Sequence, residues 1–297
     1  MNKLFSVILV LFALNSFGQV NNPGYNIDKP DYKYGKYEKV TSDCMKRDFP
    51  VLVFTPSGYD ASKQNLPVVY MLHGTNDMPL TEEGLRKMYN PATRIKEMAE
   101  MFHVIIVTPL VGNSYYLDSP IKKEHLFATF ISTELTSFMD KNYKTIANRE
   151  GRILCGFSMG GYGAVSLLCR YPDTFSIAIE RAGVLNLATF ITDLDWDGIG
   201  DKASQLLGDY YTNGANYHLN SCFNLVNHIR ERKDIAFVIE VGKDDFLYKT
   251  NYAFHERLNE LNIPHIFNVT TGGHQWNANT LRSLLSNLQY FHPTQFK

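Results

Sequence analysis

After Leu14 this sequence has no apolar run near the roughly 18 residues that a membrane helix requires, so no membrane-spanning helix is expected in the remainder. It also lacks a charge excess. Lys plus Arg number 29 against 30 Asp plus Glu, a net charge of −1. Such a balance offers no field to gather nucleic acid or an acidic membrane surface, and no basic run interleaved with aromatics appears. Cysteine is scarce. The four residues Cys44, Cys155, Cys169 and Cys222 follow neither a zinc-site spacing nor the pattern of a small stapled scaffold, and they are read as free thiols. Internal repeats and low-complexity segments are absent too, which excludes a repeat architecture.

The first residues have a different character. Lys3 is followed by an apolar stretch over residues 4–14, too short to span a bilayer, and then by Ser16-Phe17-Gly18. This order of charge, apolar run and small-x-small site is that of an export signal, with the mature chain starting near Gln19. No Cys follows the apolar stretch, so no lipoprotein anchor is expected. Residues 1–18 are thus read as a signal peptide and 19–35 as an N-terminal tail rich in Asn, Pro, Tyr, Lys and Asp. Residues 36–297 are read as one catalytic domain, periplasmic or secreted. The whole chain is 44% hydrophobic and 20% charged over 297 residues, enough to bury a sizeable core.

Short apolar runs alternate with helical stripes through that domain. Strands are expected over 48–55, 67–72, 104–107, 153–155, 177–179, 236–241 and 266–269. Runs that are apolar throughout suit strands covered on both faces, as in a mainly parallel sheet. Helical periodicity falls between them: Phe127, Phe130, Ile131, Leu135, Phe138 and Met139; Val165, Leu168 and Cys169; Phe254, Leu258 and Leu261; Leu281, Leu284, Leu285 and Leu288. The fold class implied is α/β, a mainly parallel central sheet with helices on both faces. Residues 185–225 are less regular and read as an insertion over the carboxyl edge of the sheet, where ligands of open α/β sheets bind.

The strongest chemical signal is Gly156-Phe157-Ser158-Met159-Gly160, a G-x-S-x-G motif between a short strand and a helix. That context defines a nucleophile elbow, a turn too tight for bulky residues two before and two after the Ser. A serine nucleophile needs a base, and the base needs an orienting acid. After the strand over 236–241 comes Gly242-Lys243-Asp244-Asp245, and spacing leaves Asp244 and Asp245 both open as the acid. After the last strand comes Gly272-Gly273-His274, a His on a glycine loop suited to reach the Ser. His73, at the end of an earlier strand before Gly74, is read as holding its loop. In this arrangement the amides of Thr75 and Met159 would form an oxyanion hole.

These residues resemble the esterase D / feruloyl esterase group of α/β-hydrolases, a family with S-formylglutathione hydrolases, tributyrin esterases and mycolyltransferases. The matching stretches include Val68-Val69-Tyr70-Met71-Leu72-His73-Gly74, Gly112-Asn113-Ser114-Tyr115-Tyr116 and the run G-F-S-M-G-G-Y-G-A over 156–164. Arg170-Tyr171-Pro172-Asp173-Thr174-Phe175, Gly242-Lys243-Asp244-Asp245-Phe246-Leu247-Tyr248 and Gly272-Gly273-His274-Gln275-Trp276 complete them. The resemblance covers residues 37–291. It implies an α/β-hydrolase fold with Ser158 as nucleophile, Asp245 as acid, His274 as base, and Met159 and Thr75 as oxyanion donors. It further implies a two-step acyl transfer from an ester, with no cofactor. Two departures stand out. Thr75-Asn76-Asp77-Met78-Pro79 lacks the glycine-rich continuation of many members, and Asn279 stands where a second Trp is common.

Tyr115, Tyr116, Trp196 and Trp276 are candidate pocket walls. Asp193-Leu194-Asp195-Trp196-Asp197-Gly198 resembles the start of an EF-hand loop, but Ser204 stands where the bidentate Glu belongs, so it is read as an acidic surface loop and no metal site is expected. The leading expectation is an exported carboxylesterase acting on a small-molecule or polysaccharide ester, with feruloyl or acetyl as the acyl group. The alternatives are an acyltransferase of the mycolyltransferase type, an S-formylglutathione hydrolase-like thioesterase, and a non-catalytic glycan-binding module. The sequence leaves the oligomeric state open.

Overall fold

The computed structural model describes residues 35–89, 93–189 and 199–291, of which 199–201 and 291 are described for the backbone alone. The signal-like segment, the tail, Trp196 and the acidic stretch 193–197 lie outside the described residues.

Among the described residues, eight strands form one sheet in the order β1-β2-β4-β3-β5-β6-β7-β8. They are β1 (Lys36–Ser42), β2 (Arg47–Phe54), β3 (Val68–Leu72), β4 (Ile105–Pro109), β5 (Arg152–Phe157), β6 (Ile177–Arg181), β7 (Ala236–Gly242) and β8 (His265–Thr270). β1 and β2 form an antiparallel pair, and β2 joins β4 antiparallel. Every other pairing is parallel. The inner strands β3, β4 and β6 are buried at every position, which is why β3, the start of β4 and residues 177–179 of β6 read as apolar runs; β6 ends in the buried charged pair Glu180-Arg181.

Helices cover both faces, as expected. One layer holds α1 (Glu82–Met88), α2 (Ile95–Phe102) and α8 (Ala278–Ser286), whose Leu85, Ile95, Met98, Leu281 and Leu284 pack together. The other holds α3 (Thr136–Asn142), α4 (Met159–Arg170) and α7 (Tyr248–Glu260), packed through Met139, Val165, Leu168, Phe254 and Leu258. The stripe ahead of α3 is interrupted by a π-helical turn, Phe130–Leu135, and all six of its expected residues pack on the core, Phe138 from a partly exposed position. The irregular insertion contains α5 (Ile199–Leu207) and α6 (Tyr210–Asn220), which pack on the second layer through Leu206, Leu207 and Tyr217.

All four cysteines are free. Cys155, Cys169 and Cys222 are buried, and burial pushes their thiols up, so they behave as small apolar residues.

Where α4 leaves the sheet, backbone meets backbone. A β-carbon on Gly156 would lie 2.0 Å from the Gly160 carbonyl oxygen, and one on Gly160 would lie 2.0 Å from that of Leu72. No side chain can occupy either place without moving the strand or the helix. Gly160→Ala is therefore expected to cost about 3 kcal/mol or more in urea unfolding, as overpacking against backbone does. An unchanged midpoint would show that the helix can draw away from β3.

Candidate active site

Ser158 sits between β5 and α4 with φ 56° and ψ −118°. This left-handed geometry is uncommon for a residue with a side chain and costs on the order of 1–3 kcal/mol unless its surroundings impose it. Here they do. Ser158 N–H donates to the Arg181 carbonyl at 3.0 Å, and the Ser158 carbonyl accepts from Tyr162 N–H at 3.0 Å. The strain places Ser158 at the head of a 12-residue helix, whose first amides have no carbonyl partner within the helix. Met159 supplies the first of them.

Asp245 and His274 come together as neighbours. Nδ1 of His274 lies 3.0 and 3.2 Å from the two carboxylate oxygens of Asp245. The Asp245 side chain is fully buried, while that of His274 is 22% exposed, so the pair has a hidden acid and an accessible ring. Asp245 Oδ1 also accepts Leu247 N–H at 2.8 Å, and Asp245 N–H donates to Gly242 at 3.1 Å. These bonds form the turn after β7 that aims residue 245 inward. Asp244 faces solvent. His274 in turn packs on Phe157, the residue before Ser158, with ring centroids 4.5 Å apart.

The loop after β3 lies against the serine: a β-carbon on Gly74 would be 3.4 Å from that of Ser158. Its shape is set by side chains where a glycine run is missing. His73 Nε2 accepts Val111 N–H at 3.1 Å, so the ring proton sits on Nδ1, which donates to the Gly74 carbonyl at 2.7 Å. Burial holds this imidazole down at about 4, so it is neutral at ordinary pH. Tyr116 Oη donates to the His73 carbonyl at 3.0 Å. Asn113 accepts Asn76 N–H at 2.9 Å, and Lys202 from α5 reaches Asp77 at 2.9 Å, so the insertion touches this loop. Thr75 is half-buried within it.

Behind the serine lies a buried ion pair. Arg181 and Glu240, 2% and 1% exposed, bond side chain to side chain across β6 and β7. Arg181 Nε donates to the Gln275 carbonyl at 2.8 Å, holding the residue after His274. Ser283 donates to the second Glu240 oxygen at 2.9 Å. Glu180 next to it is wholly buried. Burial pushes its carboxyl well above the usual carboxylate range, and one of its oxygens accepts Gly183 N–H at 2.7 Å.

A cleft of about 300 Å³ opens beside the loop after β3, lined by Met71, Thr75, Met88, Tyr89, Phe157 and Trp276 among others. None of the described lining residues carries a charge. Of the expected pocket walls, Trp276 is on the cleft, stacked on Phe157 at 5.5 Å. Tyr115 and Tyr116 are not: they are 1% and 0% exposed and face the core. Their left-handed φ values, 49° and 51°, turn both rings inward, Tyr115 onto Tyr162 and Tyr116 onto His73. The ring contacts of Phe157 and Phe246 with His274 escape sequence reasoning, although both residues lie inside the matching stretches.

The Esterase family model ("Putative esterase") matches residues 42–288. An acetyl esterase of Caldicellulosiruptor saccharolyticus is 26% identical over 267 residues, 84% of this chain and 84% of that protein. Among solved structures, a ferulic acid esterase superposes with a TM-score of 0.68 at 24% identity, covering 86% of this chain and 97% of the other. The S-formylglutathione hydrolase of Staphylococcus aureus gives a TM-score of 0.68 at 21% identity and the same two coverages. The fold shared with them is that of the α/β-hydrolase esterases.

A neutral His73 has a consequence for stability. Its folded value lies below the ordinary 6.5, so between pH 6.5 and about 4 the unfolded chain takes up a proton that the folded chain refuses. The contribution is present above pH 6.5 and is lost as pH falls, up to about 3 kcal/mol by pH 4. Urea unfolding across this range should show a shallower pH slope for His73→Gln than for the parent. Parallel slopes would contradict it.

Proposed function

This chain belongs to the Esterase family, and we propose that it is an exported serine carboxylesterase that works through an acyl-enzyme on Ser158. The observation that carries the reading is the buried Asp245 carboxylate on Nδ1 of His274, beside the strained Ser158 turn. Asp245 holds the imidazole with its proton on Nδ1, which leaves Nε2 free to take a proton. Ser158 Oγ attacks the ester carbonyl as its proton passes to Nε2 of His274. The developing oxyanion is met by the amides of Met159, at the helix N-terminus, and Thr75, on the loop braced by His73. The C–O bond to the alcohol breaks as His274 returns the proton to the departing oxygen. Water, deprotonated by the same imidazole, then releases the acid and restores the serine.

The uncharged cleft supports a neutral acyl group. Its walls of Phe157, Tyr89 and Trp276 favour apolar or aromatic surface, and about 300 Å³ holds more than an acetyl group. The likeness to an acetyl esterase supports acetyl esters. We therefore place the substrate among acetyl or feruloyl esters of polysaccharide. The charged, apolar and small-residue order of residues 1–18 supports action outside the cytoplasm.

Purified protein should hydrolyse at least one of 4-nitrophenyl acetate, a longer nitrophenyl ester, methyl ferulate and acetylated xylan, and Ser158→Ala should lose that turnover. Turnover that survives in Ser158→Ala places the chemistry elsewhere. Sugar affinity without turnover in the parent would instead favour a glycan-binding module. Asp245→Asn should lower kcat by about 10³- to 10⁴-fold, the loss expected when an orienting acid no longer fixes the tautomer. Asp244→Asn should stay within about twofold, as surface changes do; the reverse order would exchange the two roles. Protein recovered from the periplasm or medium should begin at or near Gln19. An intact Met1 terminus on cytoplasmic protein would refute export.

A further inference from the structure

The imidazole of His274 is held along one edge by a hydrogen-bonding partner, and its ring packs against two aromatic side chains. Asp245 meets Nδ1 at 3.0 Å. That bond fixes one corner of the ring but not its plane, because rotation about the bond swings Nε2 without breaking it. The backbone adds little restraint: Gly272, with φ 89°, and Gly273 precede it. The aromatic contacts supply what is missing. Phe157 lies 4.5 Å from the imidazole centroid at an interplanar angle of 35°, and Phe246 lies 4.6 Å away at 43°. Both distances are at the close end of the range for interacting rings. Phe157 is the residue before Ser158 on β5, and Phe246 is the residue after Asp245. Each ring is therefore rooted beside one of the two groups that His274 must serve. Trp276 also stacks on Phe157, at 5.5 Å and 23°, so the His274 loop grips that ring with two side chains.

We propose that Phe157 and Phe246 are positioning residues for acyl transfer, fixing the plane of the imidazole and favouring the protonated ring that forms as Ser158 attacks. The inference rests on the serine-esterase reading. The proton path is unchanged, from Ser158 Oγ to Nε2 of His274 and on to the departing alcohol oxygen. The rings exchange no atoms. An aromatic face attracts a cation, more so where water is scarce. The imidazolium is present in the transition state and absent from the resting enzyme, so the effect falls on kcat and leaves KM almost untouched.

Phe246 is 37% exposed, which makes it the position to change with least disturbance of the core. Phe246→Leu keeps apolar bulk and removes the π face, and Phe246→Tyr keeps both. Phe246→Leu should lower kcat about tenfold, with KM within about twofold and the thermal midpoint within about 2 °C. Phe246→Tyr should recover most of the loss. Parental kcat in Phe246→Leu, an equal loss in Phe246→Tyr, or a loss confined to KM would each overturn the proposal. Ser158→Ala separates this from failure of the underlying reading. If it hydrolyses the ester as fast as the parent, the serine-esterase reading fails and the positioning role goes with it. If parental turnover depends on Ser158 and Phe246→Leu is unimpaired, only the positioning role falls.

Discussion

The rest of the site depends on the close approach of α4 to the end of β3. Gly156 and Gly160 bring main chain against main chain, with carbonyl oxygens where any β-carbon would stand. This contact fixes the direction in which the helix leaves the sheet. It also forces Ser158 into a left-handed conformation that the residue would not choose alone. Because the helix starts there, its free amides face the same space as the serine. Because β3 ends there, Gly74 and Thr75 emerge on the other side of it. Ser158 and both candidate oxyanion amides thus take their places from one packing constraint.

A second layer of order lies underneath and is electrostatic. Arg181 bonds to Glu240 through its side chain, accepts Ser158 N–H through its carbonyl, and donates to the Gln275 carbonyl beyond His274. One buried residue therefore ties the elbow, the strand that leads to Asp245 and the loop that carries His274. Buried pairs of this kind contribute little net stability compared with an apolar replacement, and breaking one leaves an uncompensated charge. The gain here is in geometry. Glu180, alongside, has its carboxyl pushed well above the usual carboxylate range by burial, with the nearby Asp245 and Glu240 adding to the shift.

Much of this was legible in the sequence where a local rule applies. The inner strands announced themselves because burial on both faces demands unbroken apolar runs. The elbow did so because glycines are required at set offsets from Ser158. Features set by distant contacts were hidden. β1 carries Lys36, Glu38 and Lys39 on a half-exposed edge and has no apolar pattern. α2 starts at a left-handed Arg94 with no side-chain cap, so no start signal marks it. Spacing left Asp244 and Asp245 open, while the resemblance favoured Asp245; the turn after β7 buries Asp245 and exposes Asp244. The loop after β3 has no glycine run beyond Gly74, and its braces come from His73, Asn113 and Lys202, residues far apart in sequence. Tyr115 and Tyr116 were candidate walls of the pocket, and backbone turns that no composition reveals send them into the core.

The chemistry of this site turns on whether Ser158 carries the acyl group. The most direct measurement is rapid acid quench of the protein during turnover of a nitrophenyl ester, followed by peptide mass spectrometry. An acyl adduct is expected on the peptide containing Ser158, absent when His274 is replaced by Ala. Turnover with no adduct on that peptide, or an adduct on another residue, would contradict it.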